Sequence, residues 1–416
     1  MKKHIIKEIS ENMNKKMVSI KWFPFFALLT LTLALIVCGC GNSVSGVSTS
    51  GEQENSKEAD KENSQPSTAD EKEETAMNTE GEESGKNAEG ETSGTEADNA
   101  NLGNNAEEDK TVKIPASPSV AAWVAYWDLD YSEEDLKNLE NLDTICHFAS
   151  YYDVDKEVFI PEATMQFYEK TKNDPALADK ETYLTVVNDL LLEKGSSLKD
   201  TDLLYYLLKD EDSRKAHAKK LLELAKNNGF DGLEIDYEAI KKDMKLWEYF
   251  IAFEKELYTM SREMDLKLRI LLEPNVPIEN ISFIEGPEYV MMCYNLYGYG
   301  TAPGPKADHD FLVKMADKMS KLPGVVNFAL ANGGFDFSKD GSVTQITTRQ
   351  AKELFNSYVT DGSSPIRDEA SGALYFKAVE DDGNEHEIWY ADEETIAAWQ
   401  QWLRECGYDR FTIWRL

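Results

Sequence analysis

Cysteine and histidine are both scarce in this chain, with five of each among 416 residues. Apart from Cys38 and Cys40 near the start, the cysteines are Cys146, Cys293 and Cys406. They are odd in number and far apart, which excludes a disulfide framework and a Cys-rich metal site and predicts buried thiols. His4, His147, His217, His309 and His386 show none of the short spacings by which a helix or loop presents two ligands together, so neither a metal nor a cofactor is expected. Basic charge is also short: 44 Lys and Arg stand against 77 Asp and Glu, for a net charge of −33. A chain so acidic repels phosphate backbones, which excludes nucleic acid as a partner. Long apolar runs are missing except for one, close to the N-terminus.

That run, Trp22 to Val37, follows Lys2, Lys3, Lys7, Lys15, Lys16 and Lys21 and ends at Val37-Cys38-Gly39-Cys40. A basic start, an apolar stretch and small residues at its end predict a secretory signal rather than a spanning helix. The ending resembles a bacterial lipoprotein signal, with Cys38 in a slot where a small residue is usual. The resemblance implies residues 1–40 as signal, Cys40 as the lipidated residue, and a chain anchored through its lipid to the outer face of a bacterial cell membrane. From Gly41 to Val112 the composition is Glu, Ser, Thr, Gly, Asn and Ala, with no aromatic residue and a net charge of −14. Such a stretch buries too little apolar surface to offset its chain entropy, so 41–112 is expected to be a disordered, self-repelling tether.

The foldable part is therefore 113–416, which carries the remaining charge of −23. Apolar runs predict strands at Ala122–Trp127, Thr144–Ala149, Tyr183–Val187, Leu233–Tyr237, Leu266–Leu272, Tyr289–Tyr294, Val325–Leu330 and Arg410–Trp414. Between them lie helical periodicities such as Arg214–Asn228 and Met244–Met264. Strand alternating with helix over this length predicts an α/β fold, a closed (β/α)₈ barrel (TIM barrel) with a small insertion between strands seven and eight. A doubly wound open sheet is the alternative. The domain is expected to act as a monomer.

One segment stands out, Gly229-Phe230-Asp231-Gly232-Leu233-Glu234-Ile235-Asp236-Tyr237-Glu238. Strand side chains alternate faces, which puts Glu234, Asp236 and Glu238 on one side and Leu233, Ile235 and Tyr237 on the other. On an antiparallel sheet such a ladder would be a solvated face. In a parallel barrel it points into the lumen, where buried carboxylates crowd one another and at least one is held protonated near neutral pH.

Asp231-Gly232-Leu233-Glu234-Ile235-Asp236-Tyr237-Glu238 resembles the fourth-strand signature of family 18 glycoside hydrolases, with Glu234 in place of the usual middle Asp. Met292-Cys293-Tyr294-Asn295 is similar to the family's sixth-strand motif, and Trp414 sits where the family has an eighth-strand tryptophan. The portion between the seventh and eighth strands, with Phe376 to Glu380, His386 to Tyr390 and the expected helix Glu394 to Glu405, resembles the branch containing bacterial spore-cortex and peptidoglycan N-acetylglucosaminidases. Thr185-Val186-Val187-Asn188-Asp189 departs from the third-strand Ser-x-Gly-Gly of chitinases in the same direction.

The resemblance implies retaining, substrate-assisted hydrolysis of β-1,4 bonds next to N-acetylglucosamine, in peptidoglycan or chitooligosaccharides. In it the 2-acetamido oxygen of the sugar is the nucleophile. It further implies Glu238 as general acid and base, Asp236 as the partner that orients the acetamido N–H, Tyr294 as the residue that positions the acetamido oxygen, and Glu234 as support. Trp414 would floor the sugar site, with Asn295, Met292 and Tyr126 as further sugar contacts. Two alternatives stay open: a non-catalytic glycan-binding relative, and an endo-acting enzyme on N-linked glycans.

Overall fold

The structure, a computed structural model, describes residues 117–127, 137–359, 362–380 and 383–416. The signal, Cys40 and the tether lie outside the described residues. The strands in chain order are β1 (Ser119–Ala125), β2 (Thr144–Tyr152), β3 (Val158–Phe159), β4 (Glu181–Leu191), β5 (Ser196–Ser197), β6 (Gly232–Asp236), β7 (Lys267–Leu272), β8 (Glu288–Met292), β9 (Val326–Ala331), β10 (Gly333–Ser338), β11 (Val343–Ile346), β12 (Ile366–Arg367), β13 (Leu374–Val379), β14 (Glu385–Ala391) and β15 (Arg410–Trp414). The helices are α1 (Glu162–Asn173), α2 (Thr201–Leu208), α3 (Glu211–Asn228), α4 (Met244–Glu263), α5 (His309–Met319), α6 (Thr348–Tyr358) and α7 (Glu393–Glu405).

Eight strands pair in parallel in the circular order β1-β2-β4-β6-β7-β8-β9-β15, and the β1–β15 pairing closes the barrel. All eight predicted strands are present, with ends shifted by a few residues. Alternation sorts their side chains into two layers. Leu233, Ile235 and Tyr237 join Phe250, Phe253 and Leu257 of α4 in the core between strands and helices. Trp123, Cys146, Tyr183, Leu271, Val290 and Ala329 fill the lumen.

Local chemistry delivers β6 to its place. Asp210 caps α3 by accepting from the backbone N of Ser213 at 2.8 Å, and Gly229 ends that helix in the left-handed region at φ +83°, where a side chain would be strained. Asp231 then accepts from the N and Oγ1 of Thr182 at 2.9 and 3.0 Å, which fixes β6 against β4. A Cβ on Gly232 would lie 2.3 Å from the Tyr183 ring, so only glycine lets that ring fill the lumen floor. Behind the strand, the hydroxyls of Tyr152 and Tyr237 are 2.6 Å apart, and His217 Nε2 lies 2.7 Å from the Tyr237 hydroxyl, a buried polar cluster that anchors Tyr237 next to Glu238.

The insertion between β9 and β15 is an antiparallel sheet of order β11-β10-β14-β13-β12. One of its faces packs Ile346, Phe376, Ala378, Ile388 and Tyr390 against Ala351 of α6. Cys146 and Cys293 are buried thiols as expected, but Cys406 is exposed, because it caps the C-terminus of α7 and points away from the core.

Candidate active site

The three carboxylates of the ladder occupy three different environments. Glu234 is fully buried. Its Oε2 accepts from Trp123 Nε1 at 2.8 Å and from Thr185 Oγ1 at 2.6 Å, and its Oε1 lies 2.7 Å from Arg269 Nη1. Arg269, directly opposite Glu234 in the β6–β7 register, also pairs with Glu288 at 3.2 Å and donates to Thr412 Oγ1 at 2.5 Å. Glu288 in turn pairs with Arg410 at 2.8 Å. The net charge of this lumen network is zero, which is how the barrel tolerates charges at that depth.

Asp236, one layer higher, has no such cation in contact. Its Oδ1 is buried without a hydrogen-bond partner, and burial together with the neighbouring Glu238 charge pushes its carboxyl well above the usual range.

Glu238 lies two residues beyond the end of β6, past the C-terminal end of the strand rather than on the alternating ladder that the sequence pattern extends to it. Asn188 at the end of β4 holds its backbone at both groups: the Glu238 N donates to Asn188 Oδ1 at 2.9 Å, and Asn188 Nδ2 donates to the Glu238 carbonyl at 3.2 Å. The chain then turns through Ala239, at φ +65°, whose N donates to Glu273 Oε2 at 2.8 Å. These bonds take the place of the strand ladder and aim Glu238 across the C-terminal mouth of the barrel, where barrel active sites are built. Burial raises the Glu238 carboxyl, Lys199 opposes the rise, and Glu273 and Asp189 add to it. Lys199 Nζ sits 2.5 Å from Glu238 Oε2.

Tyr294 lies just past β8 and packs on the lumen cluster beside Trp123 and Trp414. Burial, then the charges of Asp236 and Glu238, push its phenol far up, so it stays a proton donor. Trp414, the last residue of β15, meets Trp123 edge-on at 5.8 Å and Phe148 at 4.8 Å. Asp236, Glu238, Tyr294 and Trp414 therefore converge at one end of the lumen. The remaining predicted contacts are more dispersed. Met292 is buried on β8. Tyr126 is half-buried at the end of β1 beside Trp127. Asn295 is exposed at φ +61°, on the rim rather than inside.

Sequence reasoning missed Lys199, Glu273 and Arg269. Arg269 had a readable signal, a lone charge inside the apolar run Leu268-Arg269-Ile270; the other two lie in loops without periodicity. Among the described residues no three His, Cys, Asp or Glu side chains gather as a metal-ligand set.

No protein-family model matches the chain. It is 24% identical over 213 residues to the uncharacterized glycosylase YvbX of Bacillus subtilis, an alignment that covers 47% of this chain and 60% of that protein. The chain spans between half and two thirds of the two Bacillus subtilis glycosylases it matches, 60% of one and 54% of the other. The barrel superposes on the Bacillus cereus spore cortex-lytic enzyme SleL with TM-score 0.58 and 17% identity, covering 73% of this chain and 71% of that one. Chromobacterium violaceum chitinase gives TM-score 0.58 at 16% identity, with 72% and 94% covered. The GH18 chitinase of Cycas revoluta, solved with (GlcNAc)3, gives 0.57 at 14% identity, with 71% and 94% covered. In fold, the described residues form a (β/α)₈ barrel similar to those of SleL and of these chitinases.

Proposed function

We propose that the chain is a retaining glycoside hydrolase that cleaves β-1,4 bonds next to N-acetylglucosamine, in peptidoglycan or chitooligosaccharides, by a substrate-assisted route. The observation that carries this reading is the pairing of Asp236 with Glu238 at the barrel mouth beside Tyr294, two crowded carboxylates raised by burial next to a neutral phenol. Protonated Glu238 gives its proton to the leaving oxygen while the acetamido oxygen bonds to the anomeric carbon, which forms an oxazolinium ion. Asp236 accepts the acetamido N–H, Tyr294 donates to the acetamido oxygen, and Trp414 lies under the sugar face. Glu238, now ionised, takes a proton from the water that opens the ring with retention. Glu234, held by Arg269, positions the layer beneath and does not exchange protons with substrate.

The names of the relatives support a glycan substrate, since one is a cortex-lytic enzyme and another was solved with an N-acetylglucosamine trimer. The signal and Cys40 add the expectation that the barrel works outside the cell, on a lipid anchor. The test is a mass-spectrometric panel of peptidoglycan, chitooligosaccharides and N-glycosylated proteins. Turnover of the first or second is expected, abolished in Glu238→Gln with thermal unfolding unchanged. Release of product by Glu238→Gln at the wild-type rate would end the assignment, and binding without any cleavage would favour a lectin-like role.

A further inference from the structure

Lys199 lies outside the chemistry just described, yet it makes the shortest contact to its central residue. Its backbone is fixed: the residue sits in the left-handed region at φ +53°, and its N donates to Asp189 Oδ1 at 2.7 Å, just beyond the β4–β5 ribbon. Its side chain is about half exposed, whereas that of Glu238 is only 19% exposed, and the two meet at 2.5 Å. The peptide therefore holds the stem in place while the ammonium remains able to swing into solvent by rotamer change alone. Around the pair stand Asp189 from the end of β4, Asp236 from β6, Glu273 from the end of β7 and Tyr294 after β8. Among the described residues, Lys199 is the cation whose charge acts most strongly on Glu238.

An ammonium against a carboxylate favours its ionised form, so Lys199 opposes the rise that burial gives Glu238 and works against the protonated state a general acid needs. When the ammonium moves off, Glu238 more readily takes a proton from solvent, the proton it then delivers, and an anion on the substrate next to the leaving oxygen is what would draw the ammonium away. Building on the hydrolase reading above, we propose that Lys199 is a specificity residue that binds a carboxylate on the leaving-group sugar, as in a 3-O-lactyl (muramic acid) residue, and thereby frees Glu238 to act. In such a sugar the carboxylate branches from the carbon adjacent to the one bearing the leaving oxygen, within reach of a lysine that touches the acid. A neutral N-acetylglucosamine oligomer offers Lys199 no such partner, and the clamp stays closed for more of the time.

The experiment compares the full chain with Lys199→Met and Lys199→Arg on two substrates. One is peptidoglycan glycan strands stripped of stem peptides, so that the lactyl carboxylates are free; the other is N-acetylglucosamine oligomers of matched length. Wild type is expected to favour the carboxylate-bearing strands in kcat/KM by about tenfold or more, the worth of a charge-assisted hydrogen bond. Lys199→Met is expected to lose that preference through a raised KM on the strands, with activity on the neutral oligomers increased. The basic limb of its pH profile on the oligomers moves to higher pH, because a cation that favours ionised Glu238 is gone. Lys199→Arg restores the preference. An unchanged preference in Lys199→Met, or an equal loss on both substrates, overturns the inference while leaving the hydrolase reading intact. A wild-type chain inactive on both substrates removes the hydrolase reading, and the inference with it.

Discussion

Glu254, in the middle of α4 and fully buried, offers a clean test of the electrostatics described above. The Tyr289 hydroxyl faces Glu254 Oε1, lies 2.7 Å from the Ile284 carbonyl, and accepts from the Ile284 N at 3.1 Å. One phenolic proton cannot serve both oxygens. If Glu254 is protonated and donates to Tyr289, the phenol donates to Ile284 and all three contacts at its hydroxyl are satisfied. Burial accordingly raises the Glu254 carboxyl from 4.5 to about 8, against a smaller lowering by Tyr289.

The sign follows from linkage. Because the folded value is raised, the stabilisation is fully present below pH 4.5 and is lost as pH rises toward 8. The loss is about 1.4 kcal/mol per pH unit across that window, or about 3 kcal/mol between pH 5 and 7.5. Glu254→Gln keeps the shape and a donor for Tyr289 but cannot ionise. Urea unfolding followed by tryptophan fluorescence, run on both proteins at pH 5 and pH 7.5, should show the variant's advantage widening by about 3 kcal/mol toward the higher pH. Titrations common to both chains cancel in the difference. A constant gap, or one that narrows with pH, would refute a protonated Glu254.

Removing the counter-charge from the lumen should be costly: Arg269→Met leaves Glu234 buried without its cation and is expected to lower stability by about 3–5 kcal/mol, read by thermal or urea unfolding. Combining it with Glu234→Leu should recover much of that loss, and a double variant as unstable as the single would show that packing, not charge, was responsible. His217 stays neutral in the fold because burial lowers its imidazole from 6.5 to about 3. Stability should therefore fall as pH drops below 6.5, and the His217 ring signals in NMR should not titrate above pH 4; a midpoint near 6.5 would contradict its burial against Tyr152 and Tyr237.

The barrel was legible because strand and helix periods alternate cleanly from β1 to β15, and because a parallel barrel has no solvated strand face to confuse the pattern. The convergence of Asp236, Glu238, Tyr294 and Trp414 was legible for a related reason: they lie at the C-terminal ends of three strands, β6, β8 and β15, so closing the barrel brings them together. What one strand cannot reveal is its neighbour across the register. Glu234 reads as one of three equal carboxylates until Arg269 is set opposite it, and only the β6–β7 pairing does that. Lys199 and Glu273 were hidden because loops carry no period, and their placement depends on backbone bonds to Asp189 and from Ala239. The exit from β6 comes one residue earlier than the predicted Tyr237, because Asn188, on another strand, holds the backbone of Glu238 just beyond it.

Three carboxylates on alternate positions would repel one another if all were ionised in the lumen, and the fold answers each differently. Glu234 is paired with a buried arginine that cannot leave, so it is fixed in position. Asp236 has no cation in contact, and the least costly state for it is the protonated one. Glu238 has a cation that is half in solvent. The order from floor to mouth is thus permanent pairing, protonation, and exchangeable pairing. Only the last can be changed by a molecule arriving from outside, and for that reason, under the function proposed above, the charge of the incoming molecule is the variable to which this site should respond.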